Sequence, residues 1–119
     1  MTEEKIIAGK IISKQNPDHV FNSGDTLKVD INHGTIFHHA YWPFGGQTIE
    51  LQEGQQFPIN FQFSYKPLEP NCADGVFLSA EIKNQSSEKI YVAFEFNLSQ
   101  DNLELNAEKY KPLPRGMIE

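Results

Sequence analysis

The stretch that decides the fold is "FPINFQFSY", residues 57–65. Aromatic or aliphatic side chains occupy every second position, and Pro58 and polar side chains lie between them. Successive side chains of a β-strand point to opposite faces, so this alternation predicts a half-buried strand. Pro58 lacks a backbone N–H, which places the residue at the start of a strand or on a sheet edge.

The same alternation recurs along the chain. It is clear in residues 26–32, 76–84 and 90–99, and "KIIAGKIIS" (5–13), "QTIELQ" (47–52) and the weaker "NLELNA" (102–107) are further candidates. In residues 90–99 it predicts one buried face, made of Ile90, Val92, Phe94, Phe96 and Leu98. Seven or eight short strands, separated by turn-forming residues, predict an all-β fold, a single antiparallel β-sandwich, with a small barrel as the alternative.

Length and composition are those of one globular domain. The chain has 119 residues and a mass of 13.6 kDa, within the usual domain size. We therefore expect a single domain over residues 1–119. The segment "YKPLPRGMIE", residues 110–119, contains two prolines and a glycine and is expected to be an extended or frayed tail.

The charge balance narrows the classes of partner. Ten Lys and Arg against sixteen Asp and Glu give a net charge of −6, and basic residues do not cluster, so nucleic acid is not an expected partner. Apolar runs are far shorter than the roughly 20 residues that a transmembrane helix needs. The N-terminus shows no signal-peptide pattern. We expect the periplasm or the periphery of the outer membrane if a signal segment was trimmed, and the cytoplasm otherwise.

Aromatic residues concentrate in "TIFHHAYWPFGG", residues 35–46. If residues 35–42 are extended, the segment has two amphipathic faces, and only one of them can join the core. Exposed aromatic side chains concentrate binding energy at protein interfaces. We therefore predict a partner-binding patch, whose candidate residues are Phe37, Tyr41, Trp42 and Phe44. The alternative is that these side chains fill the core.

The sequence contains no catalytic motif, and we predict neither catalytic residues nor a cofactor. His38 and His39 are adjacent, so in a strand they point to opposite faces and cannot hold one ion together. A metal enzyme built on His33 and His38 is the weakest alternative. A small-ligand or carbohydrate-binding module is the stronger one, with the aromatic side chains as a stacking platform and the amides of Gln47, Asn60 and Gln62 nearby.

The order of these segments resembles the YbaY/YscW family of small β-sandwich lipoproteins, which includes pilotins of type III secretion. The resemblance runs over residues 9–99 and lies in "GKI" (9–11), "SGDTLKVDI" (23–31), "GQQFPINFQFSYKPLEP" (54–70), "VFLSAEI" (76–82) and "EKIYVAFEF" (88–96). The chain has no lipobox and no N-terminal cysteine for acylation. Its segment at 35–44 contains more aromatic residues than the corresponding segment of the family.

This resemblance implies a non-enzymatic binding or chaperone-like module of the bacterial envelope. Pilotins of the family bind a hydrophobic segment of a secretin subunit and help it assemble in the outer membrane. The expected partner is therefore a protein, such as a secretin or another outer-membrane component. The partner would dock on the exposed aromatic patch or add a strand to an unpaired sheet edge. The oligomeric state is left open.

Overall fold

The computed structural model describes residues 4–35, 40–67, 75–98 and 103–110. These residues form eight β-strands: β1 (Lys5–Ile12), β2 (Thr26–Thr35), β3 (Ala40–Glu50), β4 (Ile59–Tyr65), β5 (Val76–Lys83), β6 (Lys89–Glu95), β7 (Leu103–Asn106) and β8 (Glu108–Lys109). The all-β fold predicted from period-two alternation is confirmed. Within the ranges described, no helix is long and apolar enough to cross a bilayer. The expected tail lies outside those ranges, except for Tyr110.

The strands form two sheets that pack face to face. One has three strands in the order β4-β1-β7, and the other has five in the order β3-β2-β5-β6-β8. Most neighbours are antiparallel, but β1 and β7 run parallel, with Gly9 opposite Leu103 and Ile12 opposite Asn106. Alternation in the sequence carries no information on strand direction, so this parallel pair emerges only from the structure.

The core lies between the sheets and follows the predicted faces of most strands. In β4 the side chains of Ile59, Phe61 and Phe63 are buried, while the polar residue that follows each of them is exposed. Pro58 immediately precedes β4, which is an edge strand, as its sequence predicted. The other sheet contributes alternate residues of its central strands, namely Leu27, Val29 and Ile31 from β2 and Leu78, Ala80 and Ile82 from β5.

Of the five residues predicted to face inward in segment 90–99, Ile90 and Leu98 pack against the core, but the middle of β6 faces the other way. Tyr91 and Ala93 are buried in the core, whereas Phe94 and Phe96 are 42% and 56% exposed. Both faces of this segment carry apolar residues, so alternation alone could not choose between them. Tyr91 fits among the rings of His19, Phe21 and Phe57, with centroids 5.1–6.2 Å from its own. Because of these ring contacts, the face of β6 that carries Tyr91 is the inner one.

The aromatic segment 35–46 is not one strand. Thr35 and Ala40 are register partners of the antiparallel β2–β3 pair, so the chain reverses direction between them. Strand β3 then continues through Pro43 and two glycines to Glu50, so it includes the first four residues of the "QTIELQ" segment (47–52) that the sequence suggested as a separate strand. Ile31 pairs with Gly45 and Asn32 with Pro43, which leaves Phe44 as the extra residue of a bulge.

The segment that follows β6, residues 103–109, contributes a strand to each sheet, β7 to the three-stranded sheet and β8 to the five-stranded sheet. Residues of β7 pair with β1, whereas residues of β8 pair with Tyr91 and Val92 of β6. The chain changes sheet at Ala107, which is buried and donates its N–H to the carbonyl oxygen of Ile12 at 2.6 Å. This crossing closes one side of the sandwich.

We expect Gly9→Ala to destabilise the protein, because a Cβ at this position would lie 2.6 Å from the Leu103 carbonyl oxygen and 2.9 Å from Cζ of Phe61. Overpacking of this kind costs about 1–3 kcal/mol in the free energy of unfolding. Urea denaturation measures it. Ala8→Val, on the exposed neighbouring residue, is the control and should change stability by less than about 0.5 kcal/mol. Equal midpoints for the two variants would contradict the close approach of β1 and β7.

We expect Tyr91→Phe to stabilise the protein. The Tyr91 hydroxyl is buried and has no hydrogen-bond partner among the described residues, so its removal should raise the free energy of unfolding by about 1 kcal/mol. Burial also raises the pKa of this phenol above its ordinary value of 10.0, so the wild type should lose stability as the pH rises past that value. The variant should not show this loss.

Denaturation between pH 7 and pH 11 tests both parts of this expectation. Tyr110→Phe is the control, because Tyr110 is exposed and its ring contact with the Lys89 ammonium does not need the hydroxyl. A Tyr91→Phe variant less stable than the wild type at neutral pH would show that the hydroxyl has a partner.

Candidate binding surface

An aromatic cluster lies on the outer face of the five-stranded sheet, the face that points away from the core. The ring of Phe77 in β5 lies 5.3 Å from Tyr41, 6.3 Å from Phe94 and 5.4 Å from Phe96, measured between centroids. Phe77 itself is buried beneath the other three rings, while Phe94 and Phe96 are largely exposed. We call these four residues the aromatic patch. It arises because β5 and β6 carry apolar residues on both faces.

A hollow of about 260 Å³ lies beside the patch and is lined by both polar and apolar side chains, with Tyr41 and Phe94 among them. Asn32 lies in it and is almost fully buried. Its Nδ2 atom donates to Ser79 Oγ at 2.9 Å and to the carbonyl oxygens of Asp30 at 3.3 Å and Phe77 at 3.5 Å. These bonds link β2 to β5 directly beneath the patch, so they hold the surface in place.

The charged side chains around the hollow pair with one another. Lys28 Nζ lies 3.8 Å from Asp30, and Glu81 lies 3.3 Å from both Lys83 and Lys89. Burial raises the pKa of Asp30 above its ordinary value, Lys28 opposes the rise and the Glu81 carboxylate adds to it. The hollow therefore has a rim of mixed charge and no large excess of either sign.

The structure separates the residues that the sequence singled out as one patch. Tyr41 belongs to the aromatic patch. Trp42 points to the opposite face of β3, is 63% exposed and stacks on the imidazole of His33 with centroids 6.3 Å apart. Phe44 packs against the core and the ring of Tyr65 at 6.1 Å. Phe37 lies outside the described residues. These positions bring no two of the described candidates together on one surface.

Sequence reasoning missed Phe77, Phe94 and Phe96. The alternation in residues 90–99 predicted Phe94 and Phe96 to be in the core, because it took their face of the strand as the inner one. The exposed aromatic residues could have been inferred from "IYVAFEF" (90–96), which has apolar residues at consecutive positions and therefore on both faces of the strand. In a two-layer sandwich only one of these faces can join the core, so the other must be outside.

The residues of the alternative hypotheses lie elsewhere. Gln47 Oε1 accepts the backbone N–H of Gln62 at 3.1 Å and so joins the edges of β3 and β4, and Asn60 is exposed on β4. Within the described ranges, no group of three or more His, Cys, Asp or Glu side chains is arranged to hold a metal ion. His38 lies outside those ranges.

Comparison with known proteins gives a match in structure only. No family model matches the chain, and neither does any curated protein sequence. Among solved structures, the fold is similar to an alternative pilotin from the type II secretion system of Vibrio cholerae, with a TM-score of 0.68. The two share 10% sequence identity, and the alignment covers 92% of this chain and all of the other. At this identity the likeness concerns the fold.

We expect Asn32→Ala to destabilise the protein by about 1–3 kcal/mol, because it removes the amide that donates to three buried or half-buried oxygens. Asn60→Ala is the matched control on an exposed strand position and should be nearly neutral. Urea denaturation of both variants measures the difference. An Asn32→Ala variant as stable as the control would show that solvent replaces these hydrogen bonds.

Proposed function

We propose that this protein is a non-enzymatic, partner-binding module of the bacterial envelope that acts like a pilotin. In this proposal the aromatic patch receives an apolar segment of a protein partner, such as a secretin or another outer-membrane component. The protein then works without a catalytic residue or a cofactor. The observation that carries the proposal is the exposed aromatic cluster on the outer face of the five-stranded sheet.

The chemistry of the patch favours protein binding. Aromatic side chains bury a large apolar area on contact and lose little conformational freedom, which makes them frequent anchors of interfaces. Here Tyr41, Phe94 and Phe96 rest on the buried ring of Phe77, and the Asn32 hydrogen bonds hold the strands beneath them. A surface that is already ordered loses less entropy when the partner binds.

The likeness to a type II secretion pilotin supports the envelope setting. It covers nearly the whole chain and agrees with the β-sandwich that the YbaY/YscW resemblance implied. Membership of that family, a position in the periplasm or at the outer membrane, and a secretin as the partner are the finer parts of the proposal. Trp42 is a secondary candidate for partner contact, since it is the most exposed aromatic ring of segment 40–46.

Site-specific crosslinking in the native host tests the proposal. A photoreactive phenylalanine analogue replaces Phe96, and crosslinked products are identified by mass spectrometry. We expect an outer-membrane protein to be captured, and expect Tyr41→Ser together with Phe94→Ser to reduce its yield at least fivefold. Ile6→Ser with Val20→Ser is the control, because both residues are exposed and apolar but lie on other strands or loops.

The control variant should crosslink as the wild type does, and circular dichroism should show that both variants are folded. Equal yields from the patch and control variants would contradict a docking site at the patch. Capture of cytosolic proteins alone would contradict the envelope role.

A carbohydrate-binding function is the second candidate, favoured by the hollow. Tyr41 and Phe94 flank a floor of Asn32, Ser79 and charged residues, and saccharide sites combine aromatic rings with polar groups in this way. NMR titration with envelope oligosaccharides tests it. Shifts of the Asn32 and Ser79 resonances that saturate would favour the sugar site over the protein site.

A further inference from the structure

A second surface lies along the edge of β6. Strand β8 pairs with β6 only at Tyr91 and Val92, so beyond Val92 no described residue forms a strand beside this edge. A groove of about 540 Å³ runs there. Four consecutive residues of β6, Val92–Glu95, line one side of it, which shows that the groove follows the strand edge and not one face of the strand. We call it the edge groove.

The opposite side of the edge groove is formed by the three-stranded sheet and the crossing segment. Ile12 contributes from the end of β1 and Lys14 lies two residues after it, and Glu104, Asn106 and Glu108 contribute from alternate positions of β7 and β8. An extended chain seated here would have the β6 backbone on one side and these side chains on the other. Unpaired strand edges are sites where another chain can add a strand by main-chain hydrogen bonds.

The charge of the groove selects the occupant. Among the described lining residues, Glu95, Glu104 and Glu108 carry negative charge and Lys14 carries positive charge, which gives 1 − 3 = −2. Lys10 pairs with Glu104 at 3.4 Å, but both side chains are nearly half exposed, so solvent screens this pair. The Glu95 carboxylate accepts the backbone N–H of Asn97 at 3.0 Å, which fixes it close to the strand edge. A segment rich in Arg or Lys complements this lining.

We propose that the edge groove binds an extended, positively charged segment of a partner protein, which adds to β6 as a strand beyond Val92, where the pairing with β8 ends. This inference goes beyond the proposed function, because it rests on a backbone edge and three carboxylates and not on the aromatic patch. The two surfaces share only Phe94. They can therefore be tested separately.

Short peptides test the inference directly. The probe is a fluorescein-labelled hexapeptide of alternating valine and arginine, and fluorescence anisotropy measures its affinity for the full chain. The alternating valine and glutamate peptide should bind at least tenfold more weakly. Raising the NaCl concentration from 50 to 500 mM should weaken binding of the arginine peptide.

Backbone methylation separates strand addition from simple charge attraction. An added strand pairs through alternate residues, so N-methylation of either the arginines or the valines should abolish binding, and methylation of the other set should preserve it. Equal affinities for the two methylated peptides would overturn the proposal, and so would the absence of binding by the unmodified arginine peptide.

Matched variants place the site. Glu95→Gln with Glu108→Gln should weaken binding of the arginine peptide at least fivefold. Glu50→Gln with Glu88→Gln, which removes two exposed carboxylates outside the groove, should leave it unchanged. The Tyr41→Ser and Phe96→Ser variant should also bind normally, which distinguishes this site from the aromatic patch. Hydrogen exchange should show new protection at alternate amides of residues 93–95, those whose N–H groups point away from β5. Protection confined to the outer face around Tyr41 would overturn the assignment.

Discussion

The arrangement of both sheets depends on the crossing at Ala107. One extended segment pairs with β1 through β7 and then with β6 through β8, and the hydrogen bond from the Ala107 N–H to Ile12 joins the two pairings. Because the segment serves both sheets, it closes the core on this side without a separate loop. Because of this crossing, β8 begins only at Glu108, so the described part of the chain leaves β6 without a neighbouring strand on that edge beyond Val92. The crossing at Ala107 therefore explains both the closed core and the open edge of β6.

The outer face of the five-stranded sheet shows how an apolar cluster can persist on a surface. Phe77 points away from the core and is still buried, because the rings of Tyr41, Phe94 and Phe96 surround it. The Asn32 amide ties the strands together beneath these rings, and paired lysine and carboxylate side chains supply the polar rim. The patch is therefore ordered by contacts within the sheet, before any partner arrives.

Much of the fold could be predicted from period-two alternation, because a strand with one polar face has only one way to bury itself. This holds for β4, whose polar residues Asn60, Gln62 and Ser64 are exposed. It fails for β6, where consecutive apolar residues leave the choice of inner face to three-dimensional fit around Tyr91. The parallel pairing of β7 depends on chain direction, which a sequence pattern does not record.

The candidate surfaces were less predictable than the fold. The density of aromatic residues points to segment 35–46, and Tyr41 is in the patch, but its other three members are Phe77 in β5, Phe94 in β6 and Phe96 just after β6. Strand alternation puts Tyr41 and Trp42 on opposite faces of β3, and Phe44, the extra residue of the bulge, packs against the core. The edge groove could not have been foreseen, because it requires knowing where β8 begins.

The bulge in β3 has a consequence for self-association. Strand β3 forms the other outer edge of the five-stranded sheet, and there Pro43 lacks an N–H and the extra residue Phe44 interrupts the regular backbone spacing. Such an edge is a poor template for another strand. Head-to-tail growth into a filament would require both outer edges of each molecule to accept a neighbour. With one edge open and the other interrupted, the sheet can gain a strand and still not propagate into a fibre.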